Sequence, residues 1–312
     1  MSMQRRSLLL TAPRQLAWVA EDVPSLRPDE VLVQTRAGAI SIGAEVPQYT
    51  GTARSTSQPG YPYMTGYESI GTVVACGSQV KNLHAGQRVV AFYGHRTCAV
   101  VPEGKAIAVP DDISDTLALL TILSCDVSKG ISKVVLDGTE SVLVTGAGTI
   151  GLLTVFMLMA SGSQKVDVVE PRAERRALAS LFGARTALHP GEMVGKDAVY
   201  AVGIECSSRN MAFALLQDKV QHNGRICVLA DGNIEPLVLT PAFHEKELSV
   251  VGSSDGRDYQ GHARWFFERV RHYPHTLEQL FDYQTTADNL AQTFESLAQG
   301  TIQPIKVLVR YK

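Results

Sequence analysis

The spacing of apolar positions changes near residue 110. Before it, short β-prone runs such as Glu30-Val31-Leu32-Val33-Gln34-Thr35, Ser69 to Val74 and Arg88 to Tyr93 are separated by glycine and proline turns, which predicts an irregular β-barrel-like domain. The N-terminal Arg5-Arg6 followed by Ser7-Leu8-Leu9-Leu10 looks superficially like a signal peptide. Its apolar run is too short for one, so it reads as a first strand.

After Pro110-Asp111-Asp112-Ile113-Ser114-Asp115, strand and helix patterns alternate, beginning with a helix through Leu117 to Leu123 capped by an Asp or Ser. The strands expected are Ser141 to Thr145, Val166 to Val169, Ala198 to Ile204, Arg225 to Leu229 and Leu248 to Val251. Each is mostly apolar, as in a parallel sheet covered on both faces. Helices are expected over Thr149 to Ser161 and Arg172 to Phe182, and then over His262 to His272 and Asp288 to Gln299, before a last strand, Ile305 to Val309.

Composition narrows the class. The 312 residues are 45% hydrophobic and 19% charged with a net charge of -2, an ordinary globular balance with no basic stripe for nucleic acid. The most apolar stretch, Leu152 to Ala160, is far shorter than a membrane helix requires. Cys76, Cys98, Cys125, Cys206 and Cys227 form no C-x-x-C pair, which speaks against a disulfide framework or a zinc knuckle and for a reducing, cytoplasmic setting.

Gly146-Ala147-Gly148-Thr149-Ile150-Gly151 follows an apolar strand and opens an apolar helix, the context that makes Gly-x-Gly-x-x-Gly a dinucleotide signal. Gly146 suits the tight turn, Gly148 the approach of a pyrophosphate, and Gly151 close helix-sheet packing, with Thr149 and Ile150 at the helix start. Glu170 ends the next strand, where a carboxylate bonds the adenosine ribose and repels a 2′-phosphate; this favours NAD. Arg172, Arg175 and Arg176 just beyond would instead welcome the phosphate of NADP, or simply line a solvated face.

With this loop, Gly66-Tyr67-Glu68-Ser69-Ile70-Gly71-Thr72-Val73-Val74, Cys76-Gly77-Ser78, Gly86-Gln87-Arg88-Val89 and Glu205-Cys206-Ser207 resemble, in order and approximate spacing, the medium-chain dehydrogenase/reductase superfamily. That resemblance implies an α/β fold in which a Rossmann doubly wound parallel sheet is inserted in a split GroES-like β-barrel catalytic domain. The corresponding boundaries are 1–126 for the GroES-like part, 127–251 for the NAD-binding part and 252–312 for the return to the catalytic domain. It also implies a homodimer joined through the strand Leu248 to Val251 and a small-molecule substrate, with neither nucleic acid nor membrane as partner.

The zinc alcohol dehydrogenases of this superfamily hold catalytic zinc with a Cys before a Gly-x-Asp stretch and the His of a Gly-His-Glu triplet. Here Ile42 and Tyr67 stand at those places, Thr121 near the third, and only Cys98 lies where a structural-zinc lobe would be, so the expectation is no zinc. The glycine loop resembles the alcohol-dehydrogenase branch, which implies hydride transfer between a nicotinamide and a secondary alcohol or ketone. A zinc-free enone or quinone reductase and a non-catalytic dinucleotide-binding protein are the alternatives. The runs Ile40 to Glu45, Tyr49-Thr50-Gly51 and Gly60-Tyr61-Pro62 are similar to bacteriochlorophyllide a dehydrogenases, whereas Leu123 to Lys129 departs from that subgroup.

Without zinc, a polar group must handle the alkoxide charge and the proton. Tyr67 is a candidate donor or relay, or fills the vacated metal position; Ser41 bonds the substrate hydroxyl or serves the turn; Glu68 is a base or a buried ion-pair partner. Asp126 and Lys129 form a polar relay or a simple helical ion pair, and His95 borders the pocket or is an exposed histidine.

Overall fold

The computed structural model describes residues 3–54, 60–135, 137–230 and 235–312. They divide into two compact units, 1–121 with 263–312, and 122–262, where the sequence reading drew its lines at 126 and 251.

In the first unit, β1 (Gln4–Ala12) pairs antiparallel with β2 (Gln15–Asp22) and β4 (Tyr63–Met64). The N-terminal apolar run is thus a strand. The larger sheet is organised by β3 (Glu30–Ile40), which pairs with β5 (Glu68–Cys76) along its length, with β7 (Cys98–Pro102) through Glu30 to Gln34, and with β16 (Val307–Arg310) through Ala37 to Ile40. Serving so many partners buries β3 almost throughout, so it reads as a nearly continuous apolar run. The sheet is completed by β6 (Arg88–Ala91) and β8 (Ile107–Ala108) beyond β5, and by β15 (Tyr283–Thr286) beside β16. One core gathers Val31, Val33, Val73, Val89 and Val101. Another sets Leu8, Leu10, Ile40 and Val307 against α1 (Ile42–Thr50) and α10 (Leu290–Gln299) through Tyr49 and Phe294.

The second unit is a six-stranded parallel sheet: β9 (Val142–Thr145), β10 (Val166–Val169), β11 (Thr186–Leu188), β12 (Tyr200–Glu205), β13 (Val220–Val228) and β14 (Ser249–Gly252). The order β11-β10-β9-β12-β13-β14 reverses direction between β9 and β12, the doubly wound arrangement whose ligands bind at the carboxyl ends of the strands. The register sets Thr145 level with Val169 and with Glu205, so the loops after β9, β10 and β12 leave the sheet at one height. The helices between them are α4 (Thr149–Ala160), α5 (Ala173–Leu181) and α6 (Asn210–Lys219), followed by the short α7 (Pro241–Glu245). α4 is buried from Gly151 to Leu158, as its apolar sequence demands.

The helix expected over Leu117 to Leu123 is two helices, α2 (Asp115–Leu119) and α3 (Thr121–Ser132), and Ser114 is the cap, its hydroxyl accepting the Leu117 N–H at 3.2 Å. α8 (Tyr259–Val270) begins earlier than expected, and the short α9 (Pro274–Glu278) follows it. Among the described residues, no helix is long and apolar enough to cross a membrane.

Candidate functional site

β9 delivers the glycine loop. Gly146 has φ of 87°, a conformation that costs an L side chain, and a Cβ on Gly151 would lie 1.9 Å from Gly146 O. Close packing at Gly151 is therefore foremost against the loop itself. At Gly148 a Cβ would meet nothing within 4 Å, so the backbone there faces open space. Gly148 offers α4 no side-chain cap, and the positive end of a 12-residue helix points at whatever the loop admits.

Glu170, 5% exposed at the end of β10, closes this loop: Oε2 accepts the Ala147 N–H and Oε1 the Arg172 N–H, both at 2.9 Å. Each oxygen keeps a lone pair for a ribose hydroxyl. Arg172 is exposed at the N-cap of α5, whereas Arg176 is turned inward, its Nη1 donating to the carbonyls of Glu170 and Pro171 at 2.9 and 2.7 Å. An uncapped helix start, an open glycine and a tethered carboxylate fit the pyrophosphate and ribose of a dinucleotide. The residues Gly146, Gly148, Thr149, Ile150, Gly151, Glu170 and Arg172 stand together at this edge.

Glu205, read from the sequence only as part of a motif, supports the loop from β12. It is fully buried and accepts from Ser207 N at 2.7 Å, the Ser207 hydroxyl and Ser208 N at 3.3 Å; burial pushes its pKa up against those bonds. The turn it holds sets Ser207 Cβ 3.0 Å from where a Gly146 side chain would begin.

α3 carries a polar set in the same unit. Asp126 and Lys129, expected as a relay or an ion pair, both bond the segment after β14. Asp126 Oδ1 accepts from Gly256 N at 2.6 Å and Tyr259 OH at 2.7 Å, and Lys129 Nζ donates to Asp255 O at 2.5 Å. Ser124 Oγ lies 2.8 Å from His262 Nε2, and burial lowers the His262 pKa to about 4, so the ring is neutral.

The remaining candidates lie in the first unit. Glu68 opens β5 fully buried, with Oε1 2.7 Å from Lys306 Nζ, itself 1% exposed. Burial drives the Glu68 pKa up and the Lys306 ammonium opposes it. Of its two expected roles, the ion pair is the one observed. Ser41 is the N-cap of α1 but makes no side-chain cap bond; its backbone N–H donates to Glu45 Oε1 at 2.8 Å. Tyr67 is half-buried immediately before β5.

His95, expected exposed or at a pocket rim, is 1% exposed, with Nε2 3.1 Å from Oε2 of Glu45, itself 3% exposed. Glu45 is a functional candidate that the local sequence does not single out. Its available signal was an acid in the first turn of a helix, one residue past the usual capping-box position.

The donor set does not fit a catalytic zinc. Ile42 packs into an apolar cluster, Tyr67 offers a phenol, the Glu68 carboxylate is engaged by an ammonium, and Thr121 supplies a hydroxyl. Among the described residues, no group of three or more His, Cys, Asp and Glu side chains is arranged to hold a metal ion.

Residues 27–131 match the family model described as the alcohol dehydrogenase GroES-like domain. An L-threonine 3-dehydrogenase of Pectobacterium atrosepticum is 28% identical over 273 residues, 72% of each chain.

The chain carries an alcohol dehydrogenase GroES-like domain.

Two solved structures among those similar to the chain share its fold almost end to end. A dehydrogenase from Sinorhizobium meliloti, described as zinc-binding and bound to NADP, has a TM-score of 0.84 at 18% identity, covering 99% of both chains. An alcohol dehydrogenase from Escherichia coli complexed with NADH has a TM-score of 0.81 at 21% identity, covering 99% of this chain and 100% of that one.

Proposed function

We propose that this chain is a medium-chain dehydrogenase that transfers hydride between a nicotinamide dinucleotide and a secondary alcohol or its ketone, without zinc. The observation that carries the reading is the open glycine loop at an uncapped helix start, closed on its far side by Glu170. When bound, the nicotinamide supplies the hydride chemistry. The names of the relatives support the alcohol class: L-threonine, the substrate named for one of them, is a secondary alcohol.

Glu170 binds the ribose hydroxyls and favours NAD, its carboxylate repelling a 2′-phosphate, while Arg172, exposed at the N-cap of α5, moderates that preference. Tyr67 donates its phenolic proton to the substrate oxygen during reduction and recovers one during oxidation, with Ser41 orienting that oxygen. Glu68, engaged by Lys306, supports the start of β5 beneath Tyr67 rather than acting as the base. β14, the edge strand of its sheet, is the surface through which two copies would pair; light scattering at twice 33.8 kDa tests it.

The function is tested by titrating NADH and NADPH against protein fluorescence, then following turnover of L-threonine, other secondary alcohols and enones in native enzyme and Tyr67→Phe. The expected result is tighter NADH binding and alcohol oxidation that falls about 100-fold or more in Tyr67→Phe. Turnover of enones alone, or no dinucleotide binding, would overturn the reading.

A further inference from the structure

The buried contact between Glu45 and His95 joins the two segments that carry Ser41 and Tyr67. Glu45 sits in the first turn of α1 and divides its carboxylate between two jobs: Oε1 accepts the backbone N–H of Ser41 at 2.8 Å, and Oε2 lies 3.1 Å from His95 Nε2. His95 in turn grips the stretch leading into Tyr67. Its backbone N–H donates to Thr65 O at 2.8 Å, and its ring lies so flat against Gly66 that a Cβ there would stand 2.7 Å from Cδ2. Gly66 also has φ of 77°, so both space and backbone exclude a side chain one residue before Tyr67.

His95 is itself held from other sides, at its backbone and at its ring. Leu8 N donates to the His95 carbonyl at 2.8 Å, and Phe294 meets the ring edge-on with centroids 6.1 Å apart. An apolar pair of similar volume would fill this space with no desolvation cost. What the carboxylate and imidazole add is direction: one group bonded at once to the entry of α1 and to the loop that seats residues 65 and 66.

We propose that Glu45 and His95 are positioning residues for the proton-handling pair, holding Ser41 and Tyr67 in one mutual geometry. This rests on the reading that Tyr67 handles the proton. Neither residue touches substrate; each acts through the backbone it holds. A misplacement of about 1 Å at such a site is worth on the order of 100-fold in rate. The effect belongs in kcat rather than in cofactor affinity, because the glycine loop lies in the other unit.

The test places 3-fluorotyrosine at position 67 and follows its ¹⁹F resonance in otherwise native protein, in Glu45→Gln, in Glu45→Ala and in the apolar double variant Glu45→Met/His95→Phe. Glutamine can still accept from Ser41 N–H and donate to a His95 tautomer protonated on Nδ1. Native protein and Glu45→Gln are therefore expected to give one narrow line. Glu45→Ala and the double variant are expected to give a broadened or split line, with NADH affinity within about twofold of native and kcat for secondary-alcohol oxidation down by about 100-fold at near-constant KM.

Should Glu45→Ala fail to fold, the double variant, which leaves no buried charge unpaired, decides the matter alone. A folded double variant with a narrow native line and native kcat overturns the proposal. If instead the line responds while Tyr67→Phe turns over alcohol at the native rate, the pair stands and the proton role of Tyr67 falls.

Discussion

Two glycines of one loop should differ in how much stability the same added methyl group costs. At Gly148, φ of -82° and ψ of -170° are open to any L residue, and the new Cβ meets no protein atom within 4 Å. The only cost to the fold is alanine as a poor helix cap, about 1 kcal/mol or less. That corresponds to a Tm drop of roughly 2–4 °C. The methyl would, however, occupy the path of the pyrophosphate and forfeit a charge-assisted bond worth about 1.5–3 kcal/mol, raising the NADH Kd roughly 10- to 100-fold. Gly151→Ala differs: its Cβ falls 1.9 Å from Gly146 O, so the loop must shift by about 1 Å and lose roughly 1–3 kcal/mol of stability as well as affinity. Thermal melts beside fluorescence titrations read both quantities on both variants. Unchanged NADH affinity in Gly148→Ala, or a larger loss of stability there than in Gly151→Ala, would show that Gly148 does not face the pyrophosphate.

His262, neutral in the fold with a pKa lowered to about 4 by burial, contributes stability that is fully present above its unfolded value of 6.5 and is lost as pH falls toward 4. The stability gap between native protein and His262→Asn should therefore shrink by about 2–3 kcal/mol between pH 7 and pH 4 in urea melts; a constant gap argues against a buried neutral ring. Lys306→Met, which strands the Glu68 carboxylate, should cost about 3–5 kcal/mol, and Lys306→Met/Glu68→Gln should recover most of it. If the double variant is no more stable than the single one in denaturant, the ion pair is not what holds Glu68.

The parts of this molecule legible in its sequence are those where the backbone makes a demand that only certain residues meet. The glycine loop is one, since Gly146 and Gly151 answer a positive φ and a 1.9 Å approach. The parallel strands are another, because burial on both faces makes Val142 to Val144 apolar throughout and β10 apolar apart from Asp167, whose buried carboxylate is held by Arg185, Thr186 and Tyr200. Helix α1 was hidden by Pro47 inside it and Gly43 in its first turn, both of which disfavour helix taken locally.

Polar partnerships were the least legible. His95 finds Glu45 fifty positions away and Asp126 finds Tyr259 across 133, and spacing along the chain carries no trace of such pairings. A helical offset of three suggested Asp126 with Lys129, yet both side chains bond the segment after β14, a partner that local spacing does not reveal.

We propose that an alcohol-dehydrogenase-type enzyme works here with the phenol of Tyr67 in place of a metal. The most direct test is NADH-linked turnover of a secondary alcohol by protein exhaustively dialysed against a chelator, with zinc content measured on the same sample. Undiminished turnover at well under one zinc per chain is the result predicted. Activity lost on chelation and restored by added zinc would contradict it.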